Sequence, residues 1–227
     1  MKIWDWLIRR RLPTPPPGPA PRPLTIKGHL LDGRGVHYQP SPNRGDRFII
    51  EPHFIVIHFT GGSAFQSTVN FLCEPETQAS AHVVIARDGR ITQLVPFHTV
   101  AWHADPSSWR GYCMLNPHSI GIELDNPGEL HMDAGRPTAW YGRSIARRDA
   151  VHLAHQHSPS ASWWHTYTTE QIAQTEALCR LLMDLYPIDD ILGHDDIAPQ
   201  RKRDPGPAFP MAELRARLGF PSRRVIA

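Results

Sequence analysis

Residues 193–209, GHDDIAPQRKRDPGPAF, put a histidine, carboxylates and cations on a segment stiffened by Pro199, Pro205 and Pro207. Such a loop can return Asp204 to the side of His194. An imidazole and a carboxylate held together suit Zn2+, which takes both at about 2.0–2.2 Å. A catalytic zinc needs a third protein ligand and one open position for water. His58 is the best third ligand. It lies near the end of the run FIVIHF and precedes Thr60-Gly61-Gly62, where a substrate can approach the backbone. Glu123 interrupts the apolar run SIGIELDN, and a carboxylate facing a core must be paired or line a site. In a site it would take a proton from an activated water, with burial raising its pKa and a nearby cation opposing that. Lys202, just before Asp204, would then stabilise the oxyanion formed when water attacks a carbonyl.

Taken singly, each of these residues has a plainer reading. A lone histidine ending a buried strand is more often a core histidine. A His-Asp pair is a common surface contact. Lys202 in QRKR reads as a solvated cation. Glu123 divides evenly between a structural partner and an active site. A competing cluster, His152, His155 and His157 in HLAHQH, could place two imidazoles on one helical face. It runs into a loop with no carboxylate at ligand spacing, so a structural or solvated role is expected. Trp102, His103 and Trp109 in VAWHADPSSWRG offer either an aromatic platform or cover for the domain edge. There is no nucleophile elbow and no phosphate-binding glycine loop.

The elements that must position these residues follow from pattern. HFIVIHF (53–59) and SIGIEL (119–124) read as buried strands. Ser63 is placed to cap a short helix reaching about Cys73. AHVVIARDGRITQLV (81–95) reads as two strands around an Asp88-Gly89 turn. Thr168 and Gln171 make a capping-box start, and Ile172, Cys179, Leu182, Met183 and Tyr186 share one face of the helix that follows. DDIL (189–192) is a short strand leading into the loop, and MAELRARL (211–218) a closing helix. The order implies an α/β fold, a mixed sheet flanked by helices.

Bulk properties narrow the classes. A chain of 227 residues with net charge +2 carries no basic excess for nucleic acid. The 14 histidines favour a metal enzyme. Cys73, Cys113 and Cys179 form no C-x-x-C pair, so free thiols are expected. Residues 1–24 read as a Pro-rich tail and linker, 25–221 as one domain with a loop-rich entry, and 222–227 as a tail. No apolar run approaches the roughly 20 residues of a membrane span. The first residues make a poor secretory signal, so a cytoplasmic location is expected, with periplasmic or exported action by a non-standard route left open.

GHDDIAPQRKRDPGPAF, with VIHFTGG, SIGIELDN and VAWHA, resembles the type 2 N-acetylmuramoyl-L-alanine amidases. That family includes bacterial anhydro-muropeptide amidases, phage amidases and peptidoglycan recognition proteins. The resemblance spans about residues 50–220, with the motifs in family order. It implies the peptidoglycan-recognition fold, a zinc cofactor and hydrolysis of the amide between N-acetylmuramic acid and L-alanine in peptidoglycan or muropeptides. It implies His58, His194 and Asp204 as zinc ligands, Glu123 as general base, Lys202 beside the carbonyl oxygen, and Trp102 and His103 bordering the substrate cleft. A catalytic Tyr of some phage members is absent, since Ala81 precedes His82 here. A non-catalytic recognition module is the alternative, disfavoured by the complete ligand set. The expected partner is the cell-wall substrate, bound by a monomer.

Overall fold

A computed structural model describes residues 23–47 and 52–221. The N-terminal tail through residue 22 and the C-terminal tail from 222 lie outside the described residues.

The central sheet is built from β1 (Val36–Tyr38), β2 (Phe54–Phe59), β3 (Val83–Ile85), β4 (Ile91–Gln93), β5 (Ser119–Leu124) and β10 (Asp190–Gly193). Its order is β10-β2-β5-β3-β4-β1. β10, β2, β5 and β3 run parallel, β3 and β4 form an antiparallel hairpin, and β1 lies parallel to β4. The parallel strands are covered on both sides, which is why they read as near-continuous apolar runs. Alternation still sorts their faces. Ile55, Ile57, Ile120, Ile122 and Leu124 join the main core, while Phe54, Val56 and Leu192 pack with Ala104, Leu115 and Ile197 on the other face.

Helix α1 (Phe65–Cys73) follows β2, and the long helix α2 (Thr169–Leu185) covers the main-core face. The capping box is present: Thr168 Oγ1 accepts from Gln171 N, and Gln171 Oε1 accepts from Thr168 N. Leu178, Cys179 and Leu182 are fully buried against the sheet. Each such aliphatic side chain contributes about 1.5–3 kcal/mol. After β10 come a single turn, α3 (His194–Ile197), and the closing helix α4 (Met211–Arg217). A buried ion pair from Arg215 to Asp190 ties α4 to β10.

Three readings from the sequence need correction. Ser63 does not cap α1; the N-cap is Ala64, with no side-chain cap bond. Gly61 turns the chain at φ +63 and Trp140 Nε1 donates to its carbonyl, so the chain leaves β2 late. The HLAHQH segment offers no helical face either. Residues Ala150–Ala154 are a strand (β8), paired antiparallel with β9 (Ala161–His165). With β6 (Glu129–Asp133) and β7 (Arg136–Thr138) they form a second, four-stranded sheet that the sequence reading left unassigned. The loop-rich entry also hides structure, since Thr25–Lys27 pairs with Leu30–Asp32 and β1 joins the central sheet.

Candidate active site

In an open α/β sheet, ligands gather outside the carboxyl ends of the strands. Here three adjacent parallel strands deliver their ends to one place. His58 lies near the end of β2, Glu123 stands opposite it in register on β5, and His194 follows the end of β10. Asp204 arrives from the loop. The backbone N–H of Asp195 donates to the Asp204 carbonyl at 2.8 Å, closing the loop on itself. Tyr167 donates its hydroxyl to the Pro205 carbonyl at 2.8 Å. Trp164 of β9 packs on Gly206, where φ is +71 and a Cβ would sit 2.7 Å from the indole. The turn therefore requires glycine.

The result is a tight triangle. His58 Nδ1, His194 Nδ1 and Asp204 Oδ2 lie 2.9 Å from one another on every edge. All three residues are buried. Burial, and then the neighbouring His194, push the His58 pKa down to about 4. Burial alone would raise that of Asp204, but the His194 and His58 imidazoles set against its carboxylate outweigh it and hold the carboxyl far below its usual range. A neutral imidazole and an ionised carboxylate are the forms a metal ion needs. Three basic atoms crowding one point cannot all be satisfied by hydrogen bonds along the edges. Two nitrogens and one carboxylate oxygen fit a small divalent cation, with a position left open toward the cleft.

That cleft holds about 600 Å3 and is lined by the triangle together with Glu123, Lys202, Trp102 and His103. Glu123 is partly buried, and its Oε2, shut off from solvent, has no hydrogen-bond partner among the described residues. Burial raises its pKa to about 8, reinforced by the Asp204 charge and opposed by Lys202. A buried carboxylate with unused acceptor capacity facing a cavity is a candidate base. Lys202 also opposes protonation of His58, so its charge reaches both residues. Arg201, unassigned from sequence, donates to the carbonyls of Ala104 and Pro106 at 3.2 and 2.8 Å, pinning the loop to the segment that carries His103.

His155 and His157 do not join the site. His155 pairs with Asp195 at 3.0 Å, and His157 Nε2 donates to the Asp195 carbonyl at 2.9 Å. Both brace the segment beside His194. The sequence reading missed Trp140, which is 71% exposed at the cleft. It also missed the support beneath His58. His58 Nε2 lies 3.0 Å from His103 Nδ1, and His103 Nε2 lies 3.3 Å from Ser119 Oγ. Burial, then the neighbouring His58, hold His103 well below its ordinary pKa, opposed by a hydrogen bond to the Ser119 backbone.

Comparison with known proteins agrees with this geometry. Residues 50–207 match the family described as N-acetylmuramoyl-L-alanine amidase. The Escherichia coli 1,6-anhydro-N-acetylmuramyl-L-alanine amidase AmpD is 36% identical over 209 residues, covering 85% of this chain and 95% of that protein. The E. coli N-acetylmuramoyl-L-alanine amidase AmiD is 34% identical over 169 residues, covering 70% of this chain and 51% of its own length. Among solved structures, a selenomethionine AmpD superposes with a TM-score of 0.58 at 30% identity, covering 84% of this chain and 97% of that one. AmiD in complex with anhydro-N-acetylmuramic acid-L-Ala-D-γ-Glu-L-Lys gives a TM-score of 0.57 at 30% identity, covering 88% and 66%. Sequence match, fold and the convergence of strand ends agree: the chain belongs to the N-acetylmuramoyl-L-alanine amidase family.

Proposed function

We propose that the chain is a zinc-dependent amidase that cleaves the bond between the lactyl carbonyl of N-acetylmuramic acid and L-alanine in soluble muropeptides, 1,6-anhydro forms included. The observation that carries the reading is the 2.9 Å triangle of His58, His194 and Asp204 beside Glu123, whose Oε2 has no hydrogen-bond partner among the described residues. The substrate class is supported by AmpD, named for 1,6-anhydro-N-acetylmuramyl-L-alanine, and by AmiD, solved with an anhydro-muropeptide.

His58 Nδ1, His194 Nδ1 and Asp204 Oδ2 would hold the zinc. Once bound, the metal acidifies water and polarises a carbonyl. The chain's own residues do the rest. Glu123 Oε2 accepts the proton of the attacking water, a task its raised pKa suits near neutrality. The Lys202 ammonium offsets negative charge developing on the lactyl oxygen. Glu123 then returns its proton to the alanine nitrogen as the amide breaks. Trp102 and His103 wall the cleft and keep bulk water from that proton transfer.

Soluble muropeptides as substrate carry with them action in the cytoplasm as part of the same proposal. Among the described residues no helix is long and apolar enough to cross a membrane. Zinc-loaded protein incubated with anhydro-muropeptides is expected to release the stem peptide, to stop on chelation, and to recover with zinc. Absence of stem release from soluble muropeptides overturns the reading. Release from sacculi alone moves the substrate to the polymer.

A further inference from the structure

We propose that His103 and Ser119 form a hydrogen-bond relay that holds His58 in the tautomer able to bind a metal ion, making His103 a positioning residue of the site. The inference rests on the metal-dependent reading above and gives His103 a task beyond walling the cleft.

The relay is read from its far end, where the hydrogen position is forced. Ser119 Oγ lies 2.7 Å from the Leu115 carbonyl, which can only accept. The one hydroxyl hydrogen of Ser119 is spent there, so toward His103 Nε2, 3.3 Å away, its oxygen is an acceptor. His103 Nε2 therefore carries a hydrogen. A neutral imidazole has one N–H, which leaves His103 Nδ1 as an acceptor. His58 Nε2, 3.0 Å from that nitrogen, must donate. His58 is then bare at Nδ1, the atom that faces His194 and Asp204. The reverse tautomer would aim a hydrogen at Asp204 from the place a cation needs. Reaching it would mean reversing every link and turning the Ser119 hydroxyl away from Leu115.

The relay is also rigid. The side-chain oxygen of Asn116 accepts from the backbone N–H groups of His103 and Ala104, at 2.9 and 2.7 Å. The His103 ring lies against Gly121, where a Cβ would stand 2.5 Å from its Cγ. His82 beside it is committed at both nitrogens, accepting from Gly121 N and donating to the Thr99 carbonyl, each at 3.0 Å. No neighbouring imidazole is left to compete for the His103 nitrogens from that side. Partners that fix the tautomer of a metal-binding histidine are worth about 10–100-fold in affinity.

The test measures zinc affinity by competition with a chelator, and histidine tautomers by 15N NMR of the metal-free protein. His103→Leu is expected to weaken zinc binding about 10–100-fold, while His103→Gln, whose amide can accept from His58 and donate to Ser119, stays within about threefold of wild type. Gly121→Ala, which alters no polar atom but displaces the ring, should weaken binding as His103→Leu does. In metal-free wild type His58 is expected to carry its hydrogen on Nε2, and His103→Leu to shift population to Nδ1. Thermal unfolding of each metal-free variant checks the fold. Should His103→Leu not fold, Ser119→Ala carries the test by removing the hydroxyl that accepts from His103 and donates to the Leu115 carbonyl, with a severalfold loss expected. Zinc affinity unchanged in His103→Leu or Ser119→Ala, or a wild-type His58 protonated at Nδ1, overturns the relay. A wild type that binds no zinc overturns the metal-dependent reading itself.

Discussion

The central sheet and the four-stranded sheet beside it both bury polar groups, but they use them in opposite ways. At the carboxyl ends of β10, β2 and β5, basic atoms crowd without enough hydrogens to pair them, and Glu123 Oε2 has no hydrogen-bond partner among the described residues. Around the second sheet charge is paired with charge: His155 meets the Asp195 carboxylate as an ion pair at 3.0 Å, Arg203 meets Glu129 at 2.9 Å, and Trp164 Nε1 donates to the Leu153 carbonyl, with Ser162 Oγ as a buried exception that finds no hydrogen-bond partner among the described residues. Unused polar capacity is expensive in a protein interior and is kept where chemistry needs it; satisfied capacity fixes shape. One sheet presents the groups proposed to react and the other holds the loop that completes their cluster.

The sharpest way to break that contrast is to remove one group from each side. Glu123→Gln keeps the shape and removes the proposed base, and should lower kcat by about 10²–10⁴. Zinc content, read by metal analysis, should not change. The substitution should also remove the acid limb of the kcat/KM profile, because a base must be ionised. That limb lies at or below about 8 in the wild type, since burial raises the Glu123 pKa and a bound cation opposes it. A near wild-type rate takes the base role from Glu123. His155→Ala is the matching cut in the scaffold. It strips the partner from a nearly buried Asp195 and should cost about 3–5 kcal/mol in denaturant unfolding. Turnover per folded molecule should fall far less than in Glu123→Gln. If it falls as much, the two sheets do not divide the work as described.

How much of this was legible depended on the pattern each segment carries. FIVIHF and SIGIEL, buried on both faces, announce themselves as strands, and Thr168 with Gln171 announces α2. The alternation in SIGIEL held more than was taken from it. Ser119, Gly121 and Glu123 share one face of β5, so the small and polar positions already marked the side on which His103 rests. The second sheet was illegible because ELHMD, AVHLA and ASWWH are short and mix imidazoles with apolar residues, so neither period stands out. Contacts between β9 and the loop at Gly206 join positions far apart in sequence, which no local pattern reports. Spacing alone left His58, His194 and Asp204 ambiguous. Only the parallel register of β10 and β2, with the backbone bond from Asp195 to Asp204, puts them on one point.

A smaller effect separates the two regions by pH. His82 is fully buried beneath the site, and burial pushes its pKa down to about 3, against the hydrogen bond it donates to Thr99. The unfolded chain takes up a proton at this residue below about 6.5, the folded chain only near 3. The stability that neutral His82 contributes to the metal-free protein is therefore full above about 6.5 and is lost as pH falls toward 3. Denaturant unfolding at pH 7 and pH 5 should show the decline, and His82→Gln should flatten it while lowering stability at pH 7. An unchanged slope in that variant assigns the acid sensitivity elsewhere.

The smallest expected effect lies where the second sheet reaches the cleft. Trp140 follows β7, exposes most of its ring, and is fixed by its 2.7 Å bond to the Gly61 carbonyl and by edge contact with Tyr141. A large aromatic held still at the mouth of a substrate cleft gives a sugar ring or a stem peptide a flat surface at little entropic cost. It touches none of the reacting groups, so its contribution should be equal in ground state and transition state. Trp140→Ala should then raise KM by a factor of about 2–10 and leave kcat unchanged. Trp140→Phe, which keeps the face and loses the bond to Gly61, should fall between. A drop in kcat without a change in KM would mean that the second sheet shapes the chemistry as well as the entrance.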